Sequence, residues 1–151
     1  MTPPQSTGIA GGGGASKRLC GIREDRALLL ELAARVEAGE GCDRELDGDI
    51  ATLLNPEQHK PEYVRGQARP YTSNLHAAVL LLGHELPEWF WRVGHGSHAG
   101  PWAHLNRIHP DNCLPEDEAT SYAKTAPRAL LAATLKALAG TLADATKKDQ
   151  P

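Results

Sequence analysis

Histidines are concentrated in one stretch of the chain. The sequence contains seven, and four of them, His95, His98, His104 and His109, lie within fifteen residues. Imidazole is the commonest metal ligand in proteins, and three convergent histidines can hold zinc with a fourth position open. However, the spacing matches no zinc signature, and the stretch contains no carboxylate. We therefore treat His95, His98 and His104 as weak candidate metal ligands, and exposed turn residues are the simpler interpretation.

The same part of the chain combines tryptophans with basic side chains. Aromatic rings can stack on a planar ligand, and a guanidinium can bind phosphate. Alternation along a strand places Trp89 and Trp91 on one face and Phe90 and Arg92 on the other, so we expect at least one of these tryptophans in the core and favour Arg92 as a ligand contact. The alternative interpretation is that all the tryptophans fill the core beside Ala-rich helices. The candidate ligand-binding residues are Arg69, Tyr71, Arg92, Trp102, His104 and Arg107.

Two of these candidates, Arg69 and Tyr71, precede a predicted helix whose first N–H groups can bind an anion. Other chemistry finds no support in the sequence. A nucleophile elbow is absent, and the acidic pairs lie on predicted helix surfaces or in a loop. The glycine run at 11–14 lacks the Gly-Lys-Ser/Thr ending of a phosphate loop. The sequence indicates no cofactor and no particular enzymatic reaction.

The elements that must position these residues are mainly helical. Leu29, Leu32, Ala33 and Val36 follow the spacing of one helix face, which predicts a helix over 25–38 that ends at left-handed Gly39 and Gly41. A second helix begins at Asp43 and ends before Pro56, and a loop follows at 56–70. Thr72 or Ser73 caps a third helix that Gly83 ends. Thr125 caps a last helix, with a buried stripe of Leu131, Leu135, Leu138 and Leu142.

Between the last two helices the sequence predicts a hairpin. Residues 89–93 form a strand whose two faces are both at least partly covered, residues 94–101 a long turn, and residues 102–108 the returning strand, to which 121–123 can add a third. The register is not readable, because a slip of one residue exchanges the two faces. Consecutive strands among helices predict an α+β domain with a small antiparallel sheet and about four helices.

Composition excludes several classes of protein. The 151 residues include 22 Ala, 20 Leu and 15 Gly but only four Ile and four Val, which argues against an all-β fold. A mean hydropathy of −0.42 argues against a membrane protein, and a net charge of −3 gives no reason to expect nucleic-acid binding. The shortage of Val and Ile predicts that the sheet relies on tryptophan for its packing.

Cysteine usage and the chain ends complete the sequence-based picture. Cys20, Cys42 and Cys113 form no Cys-x-x-Cys pair, so we expect isolated thiols in the cytoplasm. We predict a flexible Gly/Pro-rich tail at 1–22, a single domain at 23–142 and a frayed tail at 143–151. A short open sheet leaves edges to cover, so a homo-oligomer is expected.

Three phrases of the sequence resemble the phage α-β-α sandwich domain family. The first is Cys42–Asp47 with Ile50 and Ala51, which resembles an x-x-Asp-Arg-Glu-Leu-Asp-x-x-Ile-Ala opening; the others are 70–78 and 125–138. The match covers residues 26–139 in order, although His76 replaces a usual Asp and an extra residue separates Thr125 from Pro127. The resemblance implies a phage or prophage origin, helices on both sides of a small sheet, and no catalytic residues.

Together these observations predict an accessory binding protein in the cytoplasm of an infected or lysogenic bacterium. The first hypothesis is capture of a small nucleotide-like or otherwise anionic ligand, such as a host defence signal, at the aromatic hairpin. The second is an inhibitor or adaptor that binds a host protein through the hairpin or the loop at 56–70. The third is a histidine-based metalloenzyme. No membrane or nucleic-acid polymer is expected as a partner.

Overall fold

The computed structural model describes residues 24–54, 68–112 and 114–148, which form an α+β fold. Within these ranges four α-helices accompany a three-stranded antiparallel sheet of order β1-β2-β3. The elements are α1 (24–38), α2 (Arg44–Leu54), α3 (Leu75–Glu85), β1 (Phe90–Gly96), β2 (Gly100–Asn106), β3 (Glu118–Tyr122) and α4 (Ala126–Lys148). The predicted fold class, element order and third strand are confirmed.

Helix α4 is the middle layer of the domain. One of its faces packs with α1, α2 and α3 through Leu131, Ala132, Leu135 and Ala139. Its other face packs with α3 and the sheet through Ala129, Leu130, Ala133 and Ala137. At about 100° per residue these two sets lie on opposite sides of the helix. The predicted leucine stripe is therefore only half of the buried surface, and alanines on the other half let the sheet approach closely.

The buried guanidinium of Arg128 joins α4 to the end of α1. Its nitrogens donate to the backbone carbonyls of Val36 (3.0 Å), Glu40 (3.3 Å) and Gly41 (3.1 Å). The last carbonyls of a helix have no donor within the helix, and Arg128 supplies one. Its positive charge is also stabilised by the negative, C-terminal end of the helix dipole. Gly39 leaves the space, because a Cβ there would lie 2.6 Å from Arg128 Nη1.

A second polar network holds α2 against the segment before α3. The buried Asp47 carboxylate accepts from the backbone N–H of Thr72 (2.8 Å) and from Arg44 Nη1 (3.0 Å). Thr72 Oγ1 in turn accepts from the backbone N–H of Asp43 (2.9 Å), and Arg44 donates to the carbonyl of Ala68. The residues quoted for the family resemblance thus bind one another across the fold.

Several predicted helix ends need correction. Gly41 has a positive φ of 68°, but Gly39 does not and is required only for space. Asn74 caps α3, accepting from the backbone N–H of Ala77 (3.0 Å), because Thr72 is engaged with α2.

Two further helix ends also differ from expectation. Helix α3 continues through Gly83 to Glu85, so Gly83 does not end it. Helix α4 continues to Lys148, so part of the predicted tail at 143–151 is helical. Two predicted helix caps are confirmed. Asp43 accepts from the backbone N–H of Leu46 (3.0 Å), and Thr125 accepts from that of Arg128 (3.4 Å).

The hairpin is longer and its turn shorter than predicted. Strand β1 includes Gly94 and Gly96, and β2 begins at Gly100. Only residues 97–99 therefore connect the two strands. Strand β1 is only partly covered on its two faces, since Phe90 is 62% and Trp91 41% exposed. The prediction that at least one of Trp89 and Trp91 is in the core is confirmed, because Trp89 is buried in one cluster with Ala103 and Leu105. Trp89 is the only tryptophan buried, and small and aliphatic residues fill the rest of the sheet side that faces α4.

Backbone hydrogen bonds fix the direction of every strand residue. Ala123 N–H donates to Pro101 O (3.2 Å) and Arg107 N–H donates to Asp117 O (2.7 Å). Because antiparallel pairs alternate between bonded and non-bonded, odd-numbered residues of β2 bond to β3 and even-numbered ones bond to β1. Side chains alternate too, so odd-numbered residues of β2 face α4 and even-numbered ones face away from it.

The far side of the sheet differs from what the family resemblance implies. In the described ranges the helices lie on the α4 side, and the opposite side carries exposed side chains of all three strands. The N-terminal residues 1–22 and residues 56–67 of the predicted loop lie outside the described residues. No described helix is both long and apolar enough to span a membrane.

Candidate functional site

The side of the sheet that faces away from α4, here called the open face, gathers aromatic and polar side chains from all three strands. Facing residues come in rows, because the register pairs Arg92 with His104 and His104 with Thr120, and pairs Trp102 with Tyr122. The open face consists of Phe90, Arg92, Trp102, His104, Glu118, Thr120 and Tyr122.

Trp102 and Tyr122 form the aromatic row. They are directly opposite on β2 and β3, and Tyr122 is 53% exposed. The third position of the row is Gly94, where a Cβ would lie 2.3 Å from the Trp102 ring. The glycine therefore lets the indole lie across β1. The row presents aromatic surface on which a flat ring system can stack.

His104 stands at the centre of the middle row and is held by β3. Its Nδ1 is 2.7 Å from Thr120 Oγ1, and its Nε2 is 3.8 Å from the Glu118 carboxylate. Nδ1 is therefore hydrogen-bonded to the neighbouring strand, and Nε2 lies near an acidic side chain of the same strand. This cross-strand contact ties β2 to β3 and orients the ring beside Arg92.

Arg92 is the arginine of the open face, which also carries the acidic Glu118. It is exposed, and within the described ranges its guanidinium makes no hydrogen bond or ion pair. It lies next to His104 in the middle row, with Phe90 on one side along β1 and Gly94 on the other. A guanidinium in this setting can bind a carboxylate or phosphate with two parallel hydrogen bonds.

The structure brings three of the six candidate ligand residues together and separates the others. Arg92, Trp102 and His104 share the open face. Arg107 follows β2 on the α4 side, where it donates to Asp117 (Nε to Oδ1, 2.8 Å) and lies over the Trp89 ring, 5.9 Å from the centroid. Its guanidinium is thus used within the fold.

Arg69 and Tyr71 belong to the helical half of the molecule. Tyr71 is 4% exposed and packs in the core with α1 and α2, and burial raises the pKa of its phenol above 10.0. Arg69 is exposed beside it. Since Tyr71 is enclosed by the helices, it cannot extend the open face as the sequence-based interpretation expected.

The histidine candidates do not converge. His95 pairs with Pro101 on the α4 side of the sheet, His98 lies in the turn, and His104 is on the open face. Alternation thus directs His95 and His104 to opposite sides, so these three imidazoles cannot share one ion. Among the residues that the structure describes, no three His, Cys, Asp or Glu side chains are grouped as metal ligands.

Four residues of the open face were absent from the candidate set. Glu118, Thr120 and Tyr122 lie on β3, which the sequence indicated only over residues 121–123. Phe90 was assigned to the same face as Arg92 but not proposed as a contact. Extending the alternation from Arg92 through the hairpin to β3 identifies all four, but this requires the register that the turn length fixes.

Comparisons with known proteins add no relative. The chain matches no protein-family model, no curated protein and no solved structure. The resemblance to the phage α-β-α sandwich domain therefore stays a prediction, and the argument for function rests on the open face.

Proposed function

We propose that this protein acts by binding, and that its open face takes a planar, anionic ligand of the nucleotide class. The observation that carries the proposal is the exposed Arg92 guanidinium, which has no partner among the residues that the structure describes and lies one row from the Trp102–Tyr122 pair. A base stacked on the aromatic row and a phosphate on Arg92 would use the two kinds of contact that such ligands offer. A phage origin, which the sequence resemblance implies, would make a host defence signal a suitable ligand.

The arrangement favours binding over catalysis. His104 Nδ1 is hydrogen-bonded to Thr120 Oγ1, so this nitrogen is used to hold the ring against β3. The open face is centred on β2, whose backbone N–H groups are used in the ladders to β1 and β3, so β2 offers none to stabilise an oxyanion there. These features support recognition as the role of the surface.

The test is a thermal-shift and fluorescence titration with nucleoside monophosphates, cyclic dinucleotides and ADP-ribose. We expect one of them to raise the melting temperature and quench tryptophan fluorescence, since Trp102 lies in the binding surface. Arg92→Gln should weaken that ligand at least about tenfold, as loss of a charge-assisted hydrogen bond predicts. Arg69→Gln is the matched control, because it removes an exposed arginine from the helical half. Equal affinity of Arg92→Gln and wild type would overturn the assignment, as would no stabilisation by any probe.

A protein partner is the second candidate, and the shape of the open face favours it. Phe90 and Tyr122 project from a flat sheet, at 62% and 53% exposed, whereas small-molecule sites are usually concave. Tyr, Trp and Arg are also the residues that dominate protein interfaces. In pull-downs from host extract, wild type and Leu80→Ala should capture the same protein and Phe90→Ala should not. Leu80 is the control because it is 43% exposed but lies on α3.

A further inference from the structure

Strand β1 is an edge of the three-stranded sheet in the part of the chain that the structure describes. Even-numbered residues of β1 bond to β2, so the N–H and C=O groups of Trp91, Val93 and His95 point outward. Within the residues that the structure describes, these groups make no hydrogen bond. We infer that two copies of this chain pair antiparallel through β1, forming one continuous sheet across a two-fold axis.

The two edges of the sheet are treated differently. At the outer edge of β3, the side chain of Lys136 reaches the backbone carbonyl of Thr120 (3.3 Å), which covers that group and places a cation there. Lysine at an edge discourages pairing with another strand. Strand β1 is longer, contains neither lysine nor proline, and has no bulge in its register with β2. In the described part of the chain it therefore lacks the lysine, proline and bulge that protect many edge strands.

The sequence of β1 is complementary to itself in a single full-length register. Antiparallel pairing centred on Val93 sets Val93 opposite its own copy and Trp91 opposite the copy of His95, so every outward-pointing residue meets another outward-pointing residue. On the open face, Phe90 meets Gly96 and Arg92 meets Gly94. Each large side chain is thus opposite a glycine, and no two like charges are directly opposed.

The exposure of side chains on β1 also supports pairing with a second copy of β1. Trp91 is 41% exposed although alternation directs it to the α4 side, because β1 extends beyond the part of the sheet that α4 covers best. A second copy of β1 would bury this indole against His95 and cover the partly exposed Val93. The pairing would also join two open faces into one surface, with a copy of Arg92 on each side of the axis.

The test uses the full-length wild-type chain, first by light scattering after size exclusion and by native mass spectrometry. We expect a dimer that dissociates on dilution. Amide hydrogen exchange read by NMR should show protection of Trp91, Val93 and His95 at high concentration and its loss on dilution. A monomer at all concentrations would overturn the inference, as would a dimer in which these three amides exchange freely.

A matched pair of variants separates backbone pairing from side-chain effects. His95→Pro removes an outward N–H from an exposed position, and His95→Ala keeps it. By symmetry His95→Pro removes two hydrogen bonds, so the dissociation constant should rise about thirtyfold, or about 2 kcal/mol, with little change for His95→Ala. Equal dimerisation of both variants would contradict the register. A circular dichroism melt of each variant shows whether it is folded, and the exchange measurement on wild type stands independently of both.

Discussion

Replacing Gly39 by alanine should destabilise the protein although the residue is small and its φ is not positive. The new Cβ would lie 2.6 Å from Nη1, 3.0 Å from Cζ and 3.1 Å from Nη2 of Arg128. Such a clash is usually relieved by movement of a flexible side chain. Here the guanidinium is 1% exposed and donates to three carbonyls at the end of α1, so it has no free direction in which to move.

The expected size of the effect follows from opposing contributions. Overpacking in a tight core costs about 1–3 kcal/mol, and distortion of hydrogen bonds from a charged group adds to it. Alanine in place of glycine stabilises by up to about 1 kcal/mol, because it restricts the unfolded chain. We therefore expect Gly39→Ala to lower the free energy of unfolding by about 2 kcal/mol, which lowers the melting temperature by about 8 °C.

Urea and thermal denaturation measure this effect against a matched control. Gly83→Ala makes the same chemical change inside α3, where a Cβ meets nothing within 4 Å, and it should stabilise the protein by up to about 1 kcal/mol. In an Arg128→Met background the clash is removed, so Gly39→Ala should then become neutral or stabilising. If Gly39→Ala melts at or above wild type, Arg128 is free to move and the proposed link between α1 and α4 is refuted.

Two further predictions concern buried carboxylates. Asp47→Ala removes the acceptor of the Thr72 N–H and of Arg44 Nη1, so it should lower the free energy of unfolding measured in urea by about 3 kcal/mol. Asp49→Ala breaks only an exposed ion pair, so it should lower that free energy by less than about 1 kcal/mol. The backbone N–H of Leu114 and the guanidinium of Arg107 hold the pKa of Asp117 below its ordinary value of 3.8. Because the folded-state pKa is the lower one, this stabilisation is present above pH 3.8 and is lost as the pH falls through the folded value. Wild type should thus unfold at higher urea than Asp117→Asn near neutral pH, and the difference should vanish in acid; a constant difference would contradict the assigned ionisation.

The helices could be predicted because their signals are local. The spacing of Leu29, Leu32 and Val36 gives the buried face of α1, and Asp43 and Thr125 cap the helices that follow them. What sequence spacing missed was the position of α4 between two layers. Its leucines mark one face, and small alanines cover the other. A helix apolar all round is typical of burial on every side.

The site was only partly predictable, because it depends on which residues of three strands meet. Trp89 and Trp102 are the same residue type in one hairpin, yet Trp89 is core and Trp102 lies on the open face. Alternation along the strands decides which side of the sheet each tryptophan faces, and the strand register follows from the three-residue turn at 97–99. The sequence suggested a longer turn because glycines and histidines are unusual inside strands. One of these glycines, Gly94, is in the strand because the Trp102 ring lies across it.

The residues that carry the family resemblance contribute to folding. Asp43, Arg44 and Asp47 of the first phrase bind Thr72 of the second, or the carbonyl of Ala68 just before it, and the network lies in the helical half. Such a network fixes how α2 meets the chain before α3, so it can recur wherever this packing recurs. It carries no information about a ligand. The open face is built instead from hairpin and β3 residues outside those phrases, and substitutions there can change what the protein binds while leaving the helical network intact.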